Sequence, residues 1–253
     1  MERYSRDRIR GSWKMNKSKN SEWNQLILQL TDKGVIKSDK VKRIMMTVDR
    51  RNYVSGALDP YLDVALPIGF GAVIDAPHMH AMVLELLKDN LLPGARALDV
   101  GSGSGYLTAC MGFMVGPSGL VVGIDNIAHL VQLSKQNILK GNSVLVGWNS
   151  IMFEEADGRL GYPKFAPYDV INVGAATQNI PEILIKQLAP GGRLVIPVGC
   201  LRSYQFLTQV DKRLDGNIQK KKIMTVKVVP LTDRNTLGRR VSQISVTDIV
   251  IGS

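Results

Sequence analysis

Arg96-Ala97-Leu98-Asp99-Val100-Gly101-Ser102-Gly103-Ser104-Gly105-Tyr106 is the stretch from which the rest of the chain takes its bearings. Arg96 to Val100 reads as a short buried strand, the glycines as a tight turn, and Tyr106-Leu107-Thr108-Ala109 as the opening of a helix. Glycine suits such a turn because it tolerates positive φ and lets a ligand approach the backbone with no Cβ in the way. The order of elements predicts a nucleotide-type site at the carboxyl end of a parallel strand.

The spacing separates two kinds of site. A dinucleotide fingerprint places glycine first, third and sixth, and here Tyr106 holds the sixth position. The pattern is instead Asp-x-Gly-x-Gly-x-Gly, with Asp99 two residues ahead of Gly101. This resembles the first motif of the S-adenosylmethionine-dependent methyltransferases with a Rossmann-like sheet. Their cofactor has no pyrophosphate to neutralise, so close backbone approach to its amino-acid and ribose parts matters more than an anion cradle.

Working outward, Leu120-Val121-Val122-Gly123-Ile124-Asp125 reads as a second parallel strand closed by a carboxylate. An acid about 20 residues past the glycine turn can accept hydrogen bonds from ribose hydroxyls. A third strand is predicted around Ser150 to Glu154, leading into Ala156-Asp157-Gly158-Arg159, and a fourth at Tyr168 to Gly174. A helix near Pro181 to Leu188 and a Pro190-Gly191-Gly192 turn deliver Arg193 to Pro197 as a fifth. Tyr204 to Val210 and Ile223 to Val229, joined through Asp215-Gly216, read as a hairpin at the sheet edge. The expected fold is therefore α/β: a Rossmann-like, doubly wound, mostly parallel seven-stranded sheet with an antiparallel edge hairpin and added N-terminal helices.

Ahead of the sheet, Trp23, Leu26, Ile27 and Leu30 fit an amphipathic helix from Ser21. Ser38-Asp39 caps a second helix bearing Val41, Ile44, Met45 and Val48, which ends at Asp49-Arg50-Arg51. An irregular section is expected from Pro60 to Asp75, and Pro77 starts a helix through Met82, Leu84 and Leu87. The two leading helices and the loop are read as a lid or substrate-side layer. His78 and His80 lie two apart, which does not put them on one helix face, so no metal pair is expected. Residues 1–20 are expected to form a basic, mobile extension and 21–233 one domain (21–95 substrate-side, 96–233 cofactor sheet), and no structure is assigned to the tail 234–253.

The chain has 253 residues, 45% of them hydrophobic and 21% charged, the composition of a globular protein. No apolar run nears the roughly 20 residues of a membrane span, so no membrane is expected as partner. Cys110 and Cys200 lack metal-ligand spacing and read as reduced, buried thiols of a cytoplasmic protein. The net charge of +10 would suit a polyanion, but much of it sits near the ends and no aromatic-interleaved basic patch accompanies it. Nucleic acid is not expected as a partner. The Asn/Asp-Pro-Pro-Tyr/Phe motif of amino-group methyltransferases is absent, which counts against a nucleic-acid methyltransferase.

Taken in order, these landmarks resemble the protein-L-isoaspartate (D-aspartate) O-methyltransferase family, from about Ser12 to Asp233. Ala76-Pro77-His78-Met79-His80-Ala81 and Val229-Pro230-Leu231-Thr232-Asp233 point to this family within the superfamily, together with Asp157-Gly158-Arg159, Ala166-Pro167-Tyr168-Asp169, Val173-Gly174-Ala175-Ala176 and Pro190-Gly191-Gly192-Arg193-Leu194. The resemblance implies that Asp99, Gly101, Ser102 and Gly103 hold the methionine end of S-adenosyl-L-methionine. It gives the ribose to Asp125 with Asn126, and the adenine edge to Asp157 and Gly158. Ala72, Val73, Ile74, Asp75, His80 and Thr232 would close the pocket. The implied substrate is an isoaspartyl segment of a damaged protein, methylated on its α-carboxylate, with S-adenosyl-L-homocysteine as the other product. The ester then closes to a succinimide, and the family precedent is a monomer. A carboxylate already ionised at neutral pH needs no strong base, so catalysis is mostly positioning and desolvation.

The chain departs from the family where a serine hydroxyl is assigned as catalytic: it has Asp75. A hydroxyl can donate to the incoming carboxylate, whereas an ionised aspartate only accepts and repels it. Three arrangements stay open. Asp75 caps the helix ahead of Pro77, or its pKa is raised and it donates as a neutral acid, or the site is impaired and leaves a cofactor-binding paralogue acting as a binding or adaptor protein. No sequence neighbour explains a raised pKa, so capping and impairment rank first. Val73, Asn172 and Thr177-Gln178 also stand where the family usually has threonine, often histidine, and often Ala-Pro.

Overall fold

The structure, a computed structural model, describes residues 21–54, 56, 58–200 and 203–231. The expectations for residues 1–20, for Thr232 and for the tail lie outside the described residues. In chain order the elements are α1 (Ser21–Asp32), α2 (Asp39–Thr47), a 3-10 turn (Arg50–Tyr53), β1 (Leu66–Gly69), β2 (Ala72–Ile74), α3 (Pro77–Leu87), β3 (Arg96–Val100), α4 (Tyr106–Val115), β4 (Leu120–Asp125), α5 (Ala128–Asn142), α6 (Val144–Gly147), β5 (Ile151–Glu155), β6 (Tyr168–Val173), α7 (Glu182–Gln187), β7 (Leu188–Val198), β8 (Gln205–Lys212) and β9 (Ile218–Val226).

Seven strands form one sheet in the order β5-β4-β3-β6-β7-β8-β9. Pairing is parallel from β5 through to β7 and antiparallel for β8 and β9, as the sequence predicts. The chain builds β3, β4 and β5 toward one edge, then returns to lay β6 on the other side of β3. That reversal leaves a crevice at the carboxyl ends of β3 and β6, where ligands of such sheets bind. Alternation along the strands feeds two cores. Ala97, Val121, Val170 and Val195 join the side chains of α1 to α5. Leu98, Val100, Val122, Ile124, Ile171 and Ile196 pack on the other face with Leu184 of α7. Both faces are covered, which is why these strands read as nearly continuous apolar runs.

Three details differ from the sequence reading. The section from Pro60 to Asp75 is not wholly irregular, because Leu66–Gly69 pairs antiparallel with Ala72–Ile74. Pro67, Gly69 and Gly71 interrupt its apolar pattern and hide the strands. The Pro190-Gly191-Gly192 segment lies inside β7. Register jumps there from Tyr168↔Leu188 to Val170↔Arg193, so the expected turn is absorbed as a bulge, with Gly191 at φ +83°. Cys110 is buried as expected, but Cys200 is exposed.

Of the lid or substrate-side layer expected from the leading helices and the loop, only the loop lines the crevice. The described residues lining the crevice begin at Asp63. The apolar stripes of α1 and α2 (Trp23, Ile27, Leu30, Val41, Ile44, Met45) are buried in the core beneath it, because an amphipathic helix must bury that stripe against something. Trp23 Nε1 donates to the Met45 carbonyl at 2.7 Å, and Trp23 and Tyr53 meet Tyr106 edge-on at 6.3 and 5.4 Å between ring centroids. The N-terminal layer thus supports the start of α4, directly behind the glycine turn. Among the described residues no helix is long and apolar enough to cross a membrane.

Gly105 caps α4 at φ 87°. A Cβ there would meet Ser134 Cβ at 2.9 Å and Phe153 Cζ at 3.0 Å. Gly105→Ala combines left-handed backbone strain with overpacking, so it is expected to destabilise by about 2–3 kcal/mol. A lower urea midpoint at unchanged slope would show it; an unchanged midpoint would contradict it.

Candidate active site

The switch-point crevice opens into a cavity of about 820 Å³ whose lining includes Asp63, Val73, Ile74, Asp75, His78, His80, Asp99, Gly101, Ser102, Gly103, Tyr106, Asn172, Tyr204 and the run Met224 to Val229. The structure therefore gathers Val73, Ile74, Asp75, His80, Asp99, Gly101, Ser102 and Gly103 around one space. Ala72, Asp125, Asn126, Asp157 and Gly158 do not line it. A second, more open groove, lined by Asn90, Gly191, Arg193 and Asp211 to Asp215, lies at the amino ends of the parallel strands, away from the switch point.

Asp99 organises the glycine turn. It is 2% exposed and sits opposite Asn172 in the β3–β6 register. Thr108 Oγ1 of α4 donates to Asp99 Oδ2 at 2.6 Å, and Asn172 Nδ2 donates to Oδ1 at 2.8 Å. Burial raises this carboxyl's pKa, while the two bonds pull it back down. Each carboxylate oxygen keeps a lone pair, so Asp99 can still accept from a cationic ligand group. Asn172, where the family often has histidine, here spans β6 to β3 as the second donor.

Asp125 closes β4 and accepts from the backbone N–H groups of Gly103 and Ile127, each at 3.1 Å. Burial raises its pKa, opposed by those same bonds. Asp157 stands beside it at the end of β5, since Ala156 N–H donates to the Asp125 carbonyl at 3.0 Å. Its carboxylate pairs with the Arg159 side chain at 2.6 Å. Asp125 and Asp157 thus close neighbouring strands next to the cavity, joined to it through Gly103.

The wall facing the glycine turn comes from β2 and α3. The N-cap of α3 is Ala76, with no side-chain capping bond, so the capping reading of Asp75 is corrected. Asp63 takes that place: its Oδ1 accepts the His78 backbone N–H and lies 2.9 Å from His78 Nδ1. Burial alone would raise the Asp63 carboxyl, but the bonds from His78 win and hold it low; the same contact raises the pKa of His78. Asp75 keeps part of its surface open into the cavity yet is surrounded by protein, and that burial pushes its pKa up to about 6 against the pull of Arg50 and His78, with Asp99 adding to the rise. Burial in the cavity wall and the Asp99 carboxyl favour the raised pKa that ranked last from sequence. Asp99 of β3 is not adjacent in sequence, and the rise outweighs the opposing pull of Arg50 and His78.

Arg50 is a residue that sequence reasoning missed. Fully buried, its guanidinium donates to the backbone carbonyls of Asp75 and Val64. These carbonyls lie just outside the two ends of the β1–β2 hairpin, so one side chain clips its base together. Burial lowers the Arg50 pKa to about 10, which leaves it charged at neutral pH. Nothing in the run Asp49-Arg50-Arg51 distinguishes the buried arginine from the exposed one.

His80, 6% exposed, packs its ring 4.7 Å from that of Tyr106, and burial lowers its pKa well below the usual range, so it is neutral. Among the described residues His80 Nδ1, Ser102 Oγ and Ser104 Oγ are buried with no hydrogen-bond partner. Buried polar atoms of this kind usually have a partner, and here all three residues line the cavity. With the open backbone at Gly101, where an added Cβ would meet nothing within 4 Å, they fit a ligand that is polar at one end and lies along the glycine turn. Fold and site together define a Rossmann-like methyltransferase.

The comparisons with known proteins narrow this class. The sequence profile of the protein-L-isoaspartate(D-aspartate) O-methyltransferase family (PCMT) matches residues 20–236. The chain is 50% identical over 213 residues to protein-L-isoaspartate O-methyltransferase of Triticum aestivum, covering 84% of this chain and 92% of that one. It is 44% identical over 229 residues to the Caenorhabditis elegans protein of the same name, covering 90% and 99%. A crystal structure from Plasmodium falciparum, described as a protein-L-isoaspartate O-methyltransferase in complex with S-adenosyl-L-homocysteine, superposes with a TM-score of 0.78 at 33% identity, covering 85% and 100%. The chain belongs to the protein-L-isoaspartate(D-aspartate) O-methyltransferase family.

Proposed function

We propose that this protein methylates the α-carboxylate of L-isoaspartyl and D-aspartyl residues in damaged proteins, using S-adenosyl-L-methionine and starting repair through a succinimide. The observation that carries the reading is the switch-point cavity, where the glycine turn meets the β2–α3 wall and buried polar atoms of His80 and Ser102 stand without partners. Asp99, Gly101, Ser102 and Gly103 would hold the methionine end, Asp125 and Asn126 the ribose, and Asp157 with Gly158 the adenine edge. Ala72 to Asp75, His80 and Thr232 would close over them. When bound, the cofactor supplies a methyl on a sulfonium sulfur. The protein's part is to exclude water and to hold the accepting carboxylate in line, which accounts for a large share of such a barrier. On the same reading the protein acts as a monomer in the cytoplasm, without a nucleic-acid partner.

Labelled methyl from S-adenosyl-L-methionine is expected to appear as a base-labile ester on an isoaspartyl peptide, at least about 100-fold faster than on its aspartyl twin, a discrimination of about 2.7 kcal/mol. Calorimetric binding of S-adenosyl-L-homocysteine with no transfer to either peptide would instead indicate a binding or adaptor protein.

A further inference from the structure

The cavity brings three aspartates toward the place where an ionised substrate carboxylate must sit, and two of them are already engaged. Asp63 is held by His78, and Asp99 by Thr108 and Asn172. Asp75 alone of the three accepts no side-chain or backbone hydrogen bond from the described residues; its one bond runs from Arg50 to its backbone carbonyl. With α3 capped by Asp63 and not by Asp75, this carboxyl is left facing the cavity.

We infer that Asp75 is a catalytic residue in its neutral form: it takes up a proton as substrate binds and donates a hydrogen bond to the carboxylate that receives the methyl. The inference rests on the isoaspartyl methyltransferase reading. An ionised Asp75 has no proton to donate and would repel the substrate, whereas a protonated one has a single O–H donor to offer. The reaction balances without that proton: the carboxylate oxygen bonds to the methyl carbon as the carbon–sulfur bond breaks, and the electron pair stays on sulfur. Asp75 therefore keeps its proton throughout and acts as a hydrogen-bond donor, not as a general acid.

The groups around it set the titration. Arg50, from the turn after α2, and His78 of α3 favour the ionised form; Asp99 of β3 and burial favour the neutral one, which places its midpoint at about 6. Asp63 is held in its ionised form by the bonds from His78, His80 is neutral, and Tyr106 of α4 lies against His80. A substrate carboxylate adds another like charge and pushes the midpoint higher.

Two measurements test this on the whole chain. First, an isoaspartyl peptide is titrated into the protein saturated with S-adenosyl-L-homocysteine at pH 7, in two buffers of different ionisation enthalpy. The parent is expected to take up most of one proton, and Asp75→Asn close to none. Second, kcat/KM is followed from pH 5 to 8. The parent is expected to fall about tenfold per pH unit once the free enzyme's Asp75 ionises. Asp75→Ser and Asp75→Asn are expected to lose this limb and to exceed the parent by tenfold or more at pH 8. A flat parent profile without proton uptake overturns the inference. So does a limb that survives Asp75→Asn, which would belong to His78. Transfer by Asp75→Ser with none by the parent at any pH overturns it too, since Asp75 would then only obstruct. Absence of peptide binding and transfer in parent and variants alike removes the methyltransferase reading itself.

Discussion

Arg50→Ala is expected to lower the unfolding free energy by about 3–4 kcal/mol, because it removes a buried charge-assisted donor from two carbonyls at once. The guanidinium joins the Val64 and Asp75 carbonyls across the base of the β1–β2 hairpin. Alanine leaves a cavity beside Tyr106 and two acceptors short of a donor. A loss of that size is a large part of a typical domain's stability and should move the thermal midpoint by roughly 6–16 °C for a chain of this length. Arg50→Lys should fall between, since an ammonium cannot span both carbonyls in the fork geometry of a guanidinium. The variant also has an electrostatic signature. Arg50 is the largest influence holding the Asp75 pKa down, so its removal should shift the alkaline loss of activity to higher pH. Thermal unfolding and a pH profile of Arg50→Ala settle both. An unchanged midpoint would mean that the hairpin does not depend on the clip, and an unmoved pH limb would mean that Arg50 does not act on Asp75.

Asp99→Ala is the second large effect. It strands the buried Thr108 hydroxyl and Asn172 amide without their acceptor, at a cost of about 2–4 kcal/mol. It also frees the β3–α4 turn from β6, so binding of S-adenosyl-L-homocysteine should fall beyond detection. Asp99→Asn separates the two roles. Its amide oxygen can accept from Asn172 and its NH₂ can donate to the Thr108 oxygen, so the fold should survive within about 1 kcal/mol. The negative charge toward a ligand ammonium is gone, and affinity should still drop by tenfold or more, in keeping with the strength of charge-assisted bonds. Calorimetry with S-adenosyl-L-homocysteine beside urea unfolding reads both quantities. Parent-like affinity in Asp99→Asn would show that Asp99 only supports the turn and does not meet the ligand.

The sheet was legible because its determinants are local. Arg96–Val100 and Leu120–Asp125 occur as strands with the bounds read from sequence, since an apolar run buried on both faces, stopped by glycine or an acid, leaves little choice of length. The edge hairpin announced itself through Asp215-Gly216, although β9 starts five residues before the expected Ile223, at Ile218. The exposed Lys220-Lys221-Lys222 run obscured its beginning. The β1–β2 hairpin was not legible, because its strands have only four and three residues and are broken by the residues that usually mark loops. The leading helices were read correctly as helices, but of the lid or substrate-side layer expected there it is the loop that lines the cavity, while the helices pack into the core. Amphipathic periodicity shows that a face will be buried but not against which partner.

By itself the sequence determined a doubly wound, mostly parallel sheet with an antiparallel edge hairpin, the glycine turn at the carboxyl end of one of its strands, and the family to which the chain belongs. These follow from periodicity, φ requirements and motif spacing, all written within a few residues of one another. Only the tertiary structure decided what Asp75 is. Its proton affinity depends on Arg50, His78 and Asp99, on Asp63 taking over the cap of α3, and on the depth of the cavity wall. Desolvation and Coulomb interactions act through space, over a few ångströms, between groups that the chain separates by as many as 25 residues in the case of Arg50 and Asp75.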